Sequence, residues 1–221
     1  MKKIALIVAG GAGLRMGSSI PKQFLLLKGK PILMHSIERF HQANIFDSIH
    51  LVLPQSELTY WEKLKLEHSF VIPHKVVAGG SCRFESVKNG LNEIQEEDGF
   101  IAIHDGVRPM VSIDLIKRCI DELATYTNAI PAIVIVDSIR KIENESNEII
   151  DRNSLRAVQT PQCFHLGLLK KAYYMSNDNS NTDDACVFEN AGHKIHLIEG
   201  EKSNLKITVL SDLMIAEALL K

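Results

Sequence analysis

The chain has 221 residues, 45% of them apolar and 24% charged, with a formal net charge of −2. That is enough to bury a core without disulfide or metal staples, and the composition is ordinary for a globular protein. Near-neutral charge argues against a nucleic-acid partner, which needs a basic footprint, and no stretch approaches the ~20 apolar residues of a membrane span.

Residues 2–8, KKIALIV, read as a buried strand. A helix is expected over 31–42 and a strand over 48–54. The spacing of Leu58, Trp61, Leu64 and Leu66 marks a helix over 57–68. HKVVAGG is a strand, and FESVKNGLNEIQEE a helix with Val87, Leu91 and Ile94 on one face. FIAIHDG is a further strand; 113–126 is a helix with Ser112 as its N-cap. AIPAIVIVD returns as a strand. Such βα alternation implies an α/β, Rossmann-like fold: a mostly parallel sheet with helices on both faces. The rhythm then breaks. Residues 136–164 hold two β-like stretches around the polar turn ENESNE, the pattern of a protruding β-hairpin arm. Helices over 166–175 and 184–190, a strand at 193–199, the segment SNLKIT and a last helix from Asp212 complete the chain. With no linker, one domain spanning 1–221 is expected, with an arm over about 136–156.

Cys82, Cys119, Cys163 and Cys186 are scattered and form no C-x-x-C pair, which suits a reducing compartment. Lys2 and Lys3 ahead of an apolar run raise the possibility of a secretory leader, but the run is short and no A-x-A site follows. A cytoplasmic protein is expected.

The loop AGGAGLRMGSSIPKQF, which follows the first strand, is rich in glycine yet carries Arg15 and Lys22. It is not the dinucleotide fingerprint, since Met16 stands where the third glycine belongs, and it lacks the Gly-Lys-Ser/Thr of a Walker A motif. Glycines expose N–H groups to anionic oxygens, Arg can grip two oxygens, and Lys is a movable point charge. The loop by itself is read either as a polyphosphate cradle or as a plain strand-to-helix turn.

Four segments together decide it. VAGGAGLRMGSSIPKQF resembles the signature of nucleotidyltransferases that activate sugar or polyol phosphates. HDGVRP, DRNSLRAVQTPQ and SNLKIT, in that order, resemble the 2-C-methyl-D-erythritol 4-phosphate cytidylyltransferases of non-mevalonate isoprenoid synthesis. The resemblance implies transfer of CMP from CTP to a polyol phosphate with the help of Mg²⁺. It implies that Arg15 and Lys22 stabilise the leaving pyrophosphate, that Lys206 holds the α-phosphate and that Arg152 holds the substrate phosphate. Ala9, Gly10, Gly11, Gly13, Gly80, Ser81 and Ser86 would bind CTP. Asp105, Arg108, Ser138, Thr160 and Thr182 would face the polyol, with Asp105 also able to meet the metal. Many relatives carry an acidic residue at the Ser81 position and Thr at that of Ser138. The family's arm serves a neighbour's cleft, so a homodimer with exchanged arms is implied.

Blander readings stand beside these. Lys206 taken alone is a solvated lysine at a strand end, and Thr160 before Pro161 is a turn residue. His104 reads as a half-buried histidine bonded to backbone, because an ionised phosphate nucleophile needs no proton carrier. Cys82 reads as a small filler and not a nucleophile. Rival functions are a ribitol-5-phosphate cytidylyltransferase, whose relatives tend to lack the Asp151-Arg152 pair, and a non-catalytic nucleotide sensor, which would not need Arg15, Lys22, Arg152 and Lys206 together. An oxidoreductase fails with the missing fingerprint.

Overall fold

The computed structural model describes residues 1–10, 20–144, 146–176 and 181–220. Strand β1 (Lys3–Val8) leads through a 3-10 turn, Lys22–Phe24, and two short paired strands, β2 (Leu26–Leu27) and β3 (Lys30–Pro31), into helix α1 (Ile32–Ala43). α1 stops where Asn44 takes a left-handed conformation, φ 52°, one that Asn tolerates better than most residues. Next come β4 (Ser48–Leu53), α2 (Leu58–Glu67), β5 (Lys75–Ala78), α3 (Arg83–Asn92), β6 (Phe100–Asp105), α4 (Ile113–Asp121) and β7 (Asn128–Val134). Ser112 caps α4 as expected, its Oγ accepting from the Leu115 N–H at 2.9 Å. The second half holds β8 (Ile139–Glu143), β9 (Ser146–Ile150), β10 (Arg156–Val158), β11 (Gln162–His165), α5 (Leu166–Met175), α6 (Asp184–Asn190), β12 (Leu197–Glu199) and α7 (Leu210–Leu219).

The main sheet runs β10-β7-β11-β6-β1-β4-β5, and β12 also pairs with β7, parallel, over Leu197–Glu199. β5, β4, β1 and β6 are mutually parallel. Alternation along β1 divides the core. Ala5 and Ile7 face α1, α2 and α4 on one side, and Ile4, Leu6 and Val8 face α3, α5 and α6 on the other. Each fully buried Ile or Leu in this sheet contributes roughly 1.5–3 kcal/mol. The sheet's own parallel order ends β1 and β6 side by side, with Val8 paired to Asp105. This places the residues that follow both strands at one lip, where open α/β sheets bind ligands.

Several details differ from the sequence expectations, among them β12, which begins at Leu197 and not at His193, and α4, which ends at Asp121 and not at Tyr126. β11 enters antiparallel between β6 and β7, so the strip is mixed there. α3 ends at Asn92 and not near Glu97; Ile94 is still buried, its N–H bonded to the Leu91 carbonyl at 3.2 Å. α7 begins at Leu210, because Asp212 caps it from inside, its Oδ2 accepting from the N–H groups of Thr208 and Val209. Among the described residues the hairpin β8–β9 pairs only with itself, with Asn144 at φ 53° and Ile142 and Ile149 about 70% exposed. No helix among the described residues is long and apolar enough to cross a membrane.

Candidate active site

Two adjoining cavities open at the lip. The first, of about 310 Å³, is walled by Ala9, Gly10, Lys22, Gln23, Ser81, Cys82 and Val107. The second, of about 190 Å³, is walled by Arg108, Gln159, Thr160, Gln162, Thr182 and Asp183. Arg83, Asp105 and Lys206 belong to both. A larger groove of about 720 Å³ between α3 and α5 touches none of these three.

Asp105 closes β6 and is buried among cations. Lys206 Nζ lies 2.9 Å from its Oδ2, Arg108 Nε 3.5 Å from the same oxygen, and Arg83 Nε 3.6 Å from Oδ1. Burial pushes this carboxyl up, but Arg83, Lys206 and Arg108 together outweigh it and hold it well below the usual carboxylate range. Arg83 is fixed from behind. Its Nη1 and Nη2 donate to the two oxygens of the fully buried Asp184 at 2.9 and 2.7 Å, and the Tyr173 hydroxyl donates to Asp184 Oδ1 at 2.6 Å. Burial opposes the guanidinium charge, yet Asp184 and Asp105 leave its pKa raised. Burial and the Asp184 carboxylate push the Tyr173 phenol up, so it stays a donor.

Lys206 arrives on an irregular segment held at several points. Asn204, fully buried, donates from Nδ2 to the Thr160 carbonyl at 2.8 Å and accepts Arg108 Nη1 on its own carbonyl at 2.8 Å. The Ile207 N–H donates to the Val107 carbonyl at 2.9 Å. The bland reading of Lys206 as a solvated lysine is replaced by an ion pair with Asp105, although Lys206 keeps 41% exposure toward the cleft.

His104, expected to be half-buried, is fully buried beside this centre. A carbonyl can only accept, so His104 Nε2–H donates to the Arg108 carbonyl at 3.1 Å. Nδ1 then accepts the Thr160 hydroxyl at 3.1 Å, and Thr160 Oγ1 accepts the Asp105 N–H at 3.1 Å. Burial pulls the imidazole down to about 4, which fits the backbone-bonded histidine expected from sequence. Thr160 lines the second cavity while its hydroxyl is engaged with His104 and Asp105.

The loop before α3 is also tied internally. The Ser86 hydroxyl donates to the Cys82 carbonyl at 2.8 Å and accepts the Gly80 N–H at 3.1 Å. Both the N–H and the hydroxyl of Ser81 donate to Glu85 Oε2 at 2.7 Å. Gly80 has to be glycine, because a Cβ there would sit 2.3 Å from that of Glu85.

The structure thus brings Ala9, Gly10, Lys22, Ser81 and Lys206 to the first cavity, and Asp105, Arg108, Thr160 and Thr182 to the second. Gly80 and Ser86, expected to bind the nucleotide, line neither cavity and are bonded to each other instead. Ser138 and Arg152 are exposed on the arm, line neither cavity, and Arg152 Nη1 touches the Val136 carbonyl. Gly11, Gly13 and Arg15 lie outside the described residues. Arg83, Asp184 and Tyr173 did not stand out in the sequence. Arg83 opens an ordinary amphipathic helix, and Asp184 lies 101 residues away.

The 2-C-methyl-D-erythritol 4-phosphate cytidylyltransferase family profile matches residues 3–221. The chain is similar to the enzyme of that name from Bacteroides fragilis, 46% identical over 220 residues with 100% of each chain covered, and to that of Bacteroides thetaiotaomicron, 44% identical over the same span. It is also similar to the solved structure of the Francisella tularensis enzyme, with a TM-score of 0.84, 30% identity and 100% of each chain covered. This chain, matched from end to end, belongs to the 2-C-methyl-D-erythritol 4-phosphate cytidylyltransferase family.

Proposed function

We propose that this protein transfers CMP from CTP to 2-C-methyl-D-erythritol 4-phosphate, giving 4-CDP-2-C-methyl-D-erythritol and pyrophosphate for isoprenoid synthesis. The observation that carries the reading is the pair of cavities meeting at Asp105, in a chain that matches the family throughout. One cavity suits a nucleotide and the other a small polyol phosphate. Between them Arg83, Arg108, Lys206 and Lys22 outnumber the carboxylates of Asp105, Asp183 and Asp184 by one, which leaves net positive charge for two polyanions.

The attacking phosphate oxygen is already ionised, so this chain's residues are asked for position and charge stabilisation. Lys206 steadies the α-phosphate at the shared wall. Lys22, with Arg15, neutralises charge on the departing pyrophosphate. Asp105 and Arg108 orient the polyol. Lys206 and Arg108 are held at the shared wall by Asp105 before substrate arrives, so both cations are already in place when phosphate oxygens come in.

Mg²⁺ is the proposed cofactor. Among the described residues no group of three or more His, Cys, Asp or Glu side chains converges. The donor set fits a hard cation held by one ionised carboxylate, Asp105, and completed by substrate phosphates and water. Such a cation supplies neutralisation of phosphate charge.

Arg152 and Ser138, which line neither cavity of their own chain, are assigned to the polyol cavity of a partner subunit reached by arm exchange. Support comes from the exposed Ile142 and Ile149 and from a two-stranded arm that is marginal alone. Four free cysteines suit the cytoplasm. The function is tested by offering CTP and Mg²⁺ with methylerythritol phosphate or ribitol 5-phosphate and analysing products. Formation of CDP-methylerythritol with little CDP-ribitol is expected; equal or reversed yields overturn the assignment.

A further inference from the structure

Lys22 enters the nucleotide cavity from a single 3-10 turn with no side-chain cap. The next two residues anchor it. Gln23, buried, donates from Nε2 to the Ala9 carbonyl at 3.0 Å. Phe24, also buried, lies edge-on to Tyr60 at 5.2 Å between ring centroids and stacks on Trp61 at 6.3 Å. Trp61 is fully buried, and its Nε1–H donates to His74 Nε2 at 3.0 Å. An indole N–H can only donate, so Nε2 is the bare nitrogen, and Nδ1–H donates to the Ile72 carbonyl at 2.7 Å. His74 precedes β5, lines neither cavity and takes no part in the reaction proposed above.

We propose that the Trp61–His74 hydrogen bond is a positioning device: by fixing the indole on which Phe24 rests, it sets where Lys22 enters the nucleotide cavity. The inference rests on the role proposed for Lys22. A cation that acts on developing charge is sensitive to place, and an error near 1 Å can cost about 10²-fold in rate. A buried indole N–H that loses its acceptor must move or stay unpaired. The indole is packed on all sides, with Phe70 at 5.9 Å and Phe24 at 6.3 Å, so movement is passed to the Lys22 turn.

The test measures kinetics with CTP and methylerythritol phosphate for wild type, His74→Phe and His74→Gln, together with emission from Trp61, the sole tryptophan. His74→Phe keeps a ring and removes the acceptor. It should lose about tenfold in kcat with KM for CTP within about twofold, because Lys22 acts mainly on the transition state. His74→Gln offers an amide oxygen to the indole and should recover kcat to within about threefold of wild type and restore the emission. Should His74→Phe fail to fold, His74→Leu removes the acceptor instead, keeps Trp61 as the emitter and carries the same expectation. Wild-type kcat in His74→Phe with a shifted emission overturns the proposal, as does an equal loss of kcat and KM in both His74 variants. Wild-type protein without turnover overturns the proposed function itself, and the positioning role with it.

Discussion

His104 makes acid sensitivity of the fold a quantitative matter. Its imidazole titrates near 4 in the folded protein and near 6.5 when unfolded. Between those values the unfolded chain binds the extra proton, so stability rises with pH. His104 therefore contributes fully above about 6.5, and the contribution is lost as pH falls toward 4. Going from pH 7 to pH 5 should remove roughly 2 kcal/mol through this one residue, and the rest is lost below pH 5. The geometry explains why the proton is resisted. Nδ1 already accepts the Thr160 hydroxyl, and Nε2–H is engaged by the Arg108 carbonyl, so a second ring proton finds no acceptor in place. The measurement is urea unfolding of wild type and His104→Gln at pH 7 and pH 5. His35, His50 and His74 are also pulled down by burial and add slopes of the same sign, so the difference between the two proteins is the readout. The variant should lose about 2 kcal/mol less than wild type over this interval. An identical loss in both would refute the reasoning.

Two further outcomes concern the charged centre and the arm. Asp184→Asn removes the charge and one acceptor of a buried bidentate pair, leaving Arg83 a single neutral oxygen and its longer approach to Asp105, so about 3 kcal/mol should be lost and the thermal midpoint should fall by roughly 6–12 °C; a calorimetric shift below about 2 °C would sink this account. Mixing inactive Lys22→Ala with inactive Arg152→Ala under subunit exchange should restore about a quarter of wild-type activity per subunit if arms are shared, since half of randomly paired dimers are mixed and each has one intact site. Exchange without recovery would return Arg152 to its own chain.

Apolar runs made β1, β4 and β6 readable, because strands buried on both faces need them. β11 was not: Gln162–His165 is four residues long and begins with a buried polar side chain, whose amide bonds Asp183 and the Ala185 N–H. Its place depends on β6 and β7, far away in sequence. The site divides in the same way. Lys22, Asp105, Arg108 and Lys206 sit in quotable motifs, whereas Arg83 is defined by Asp184 and Tyr173, contacts that only folding creates. Arg152 was readable as a motif residue, and the single chain shows it on the arm, away from both cavities.

The insertion of β11 between β6 and β7 also imposes an order on biosynthesis. β6 leaves the ribosome with β1 already available as a partner on one edge. Its other edge has to wait for Gln162–His165, roughly sixty residues later, which is on the order of 3–12 s at ~5–20 residues per second. Throughout that interval Ile101 and Ile103 border an unpaired strand edge, the kind of surface that recruits other chains. The nascent protein is most vulnerable to aggregation after β6 has emerged and before β11 has, and slow translation through the arm would prolong that window.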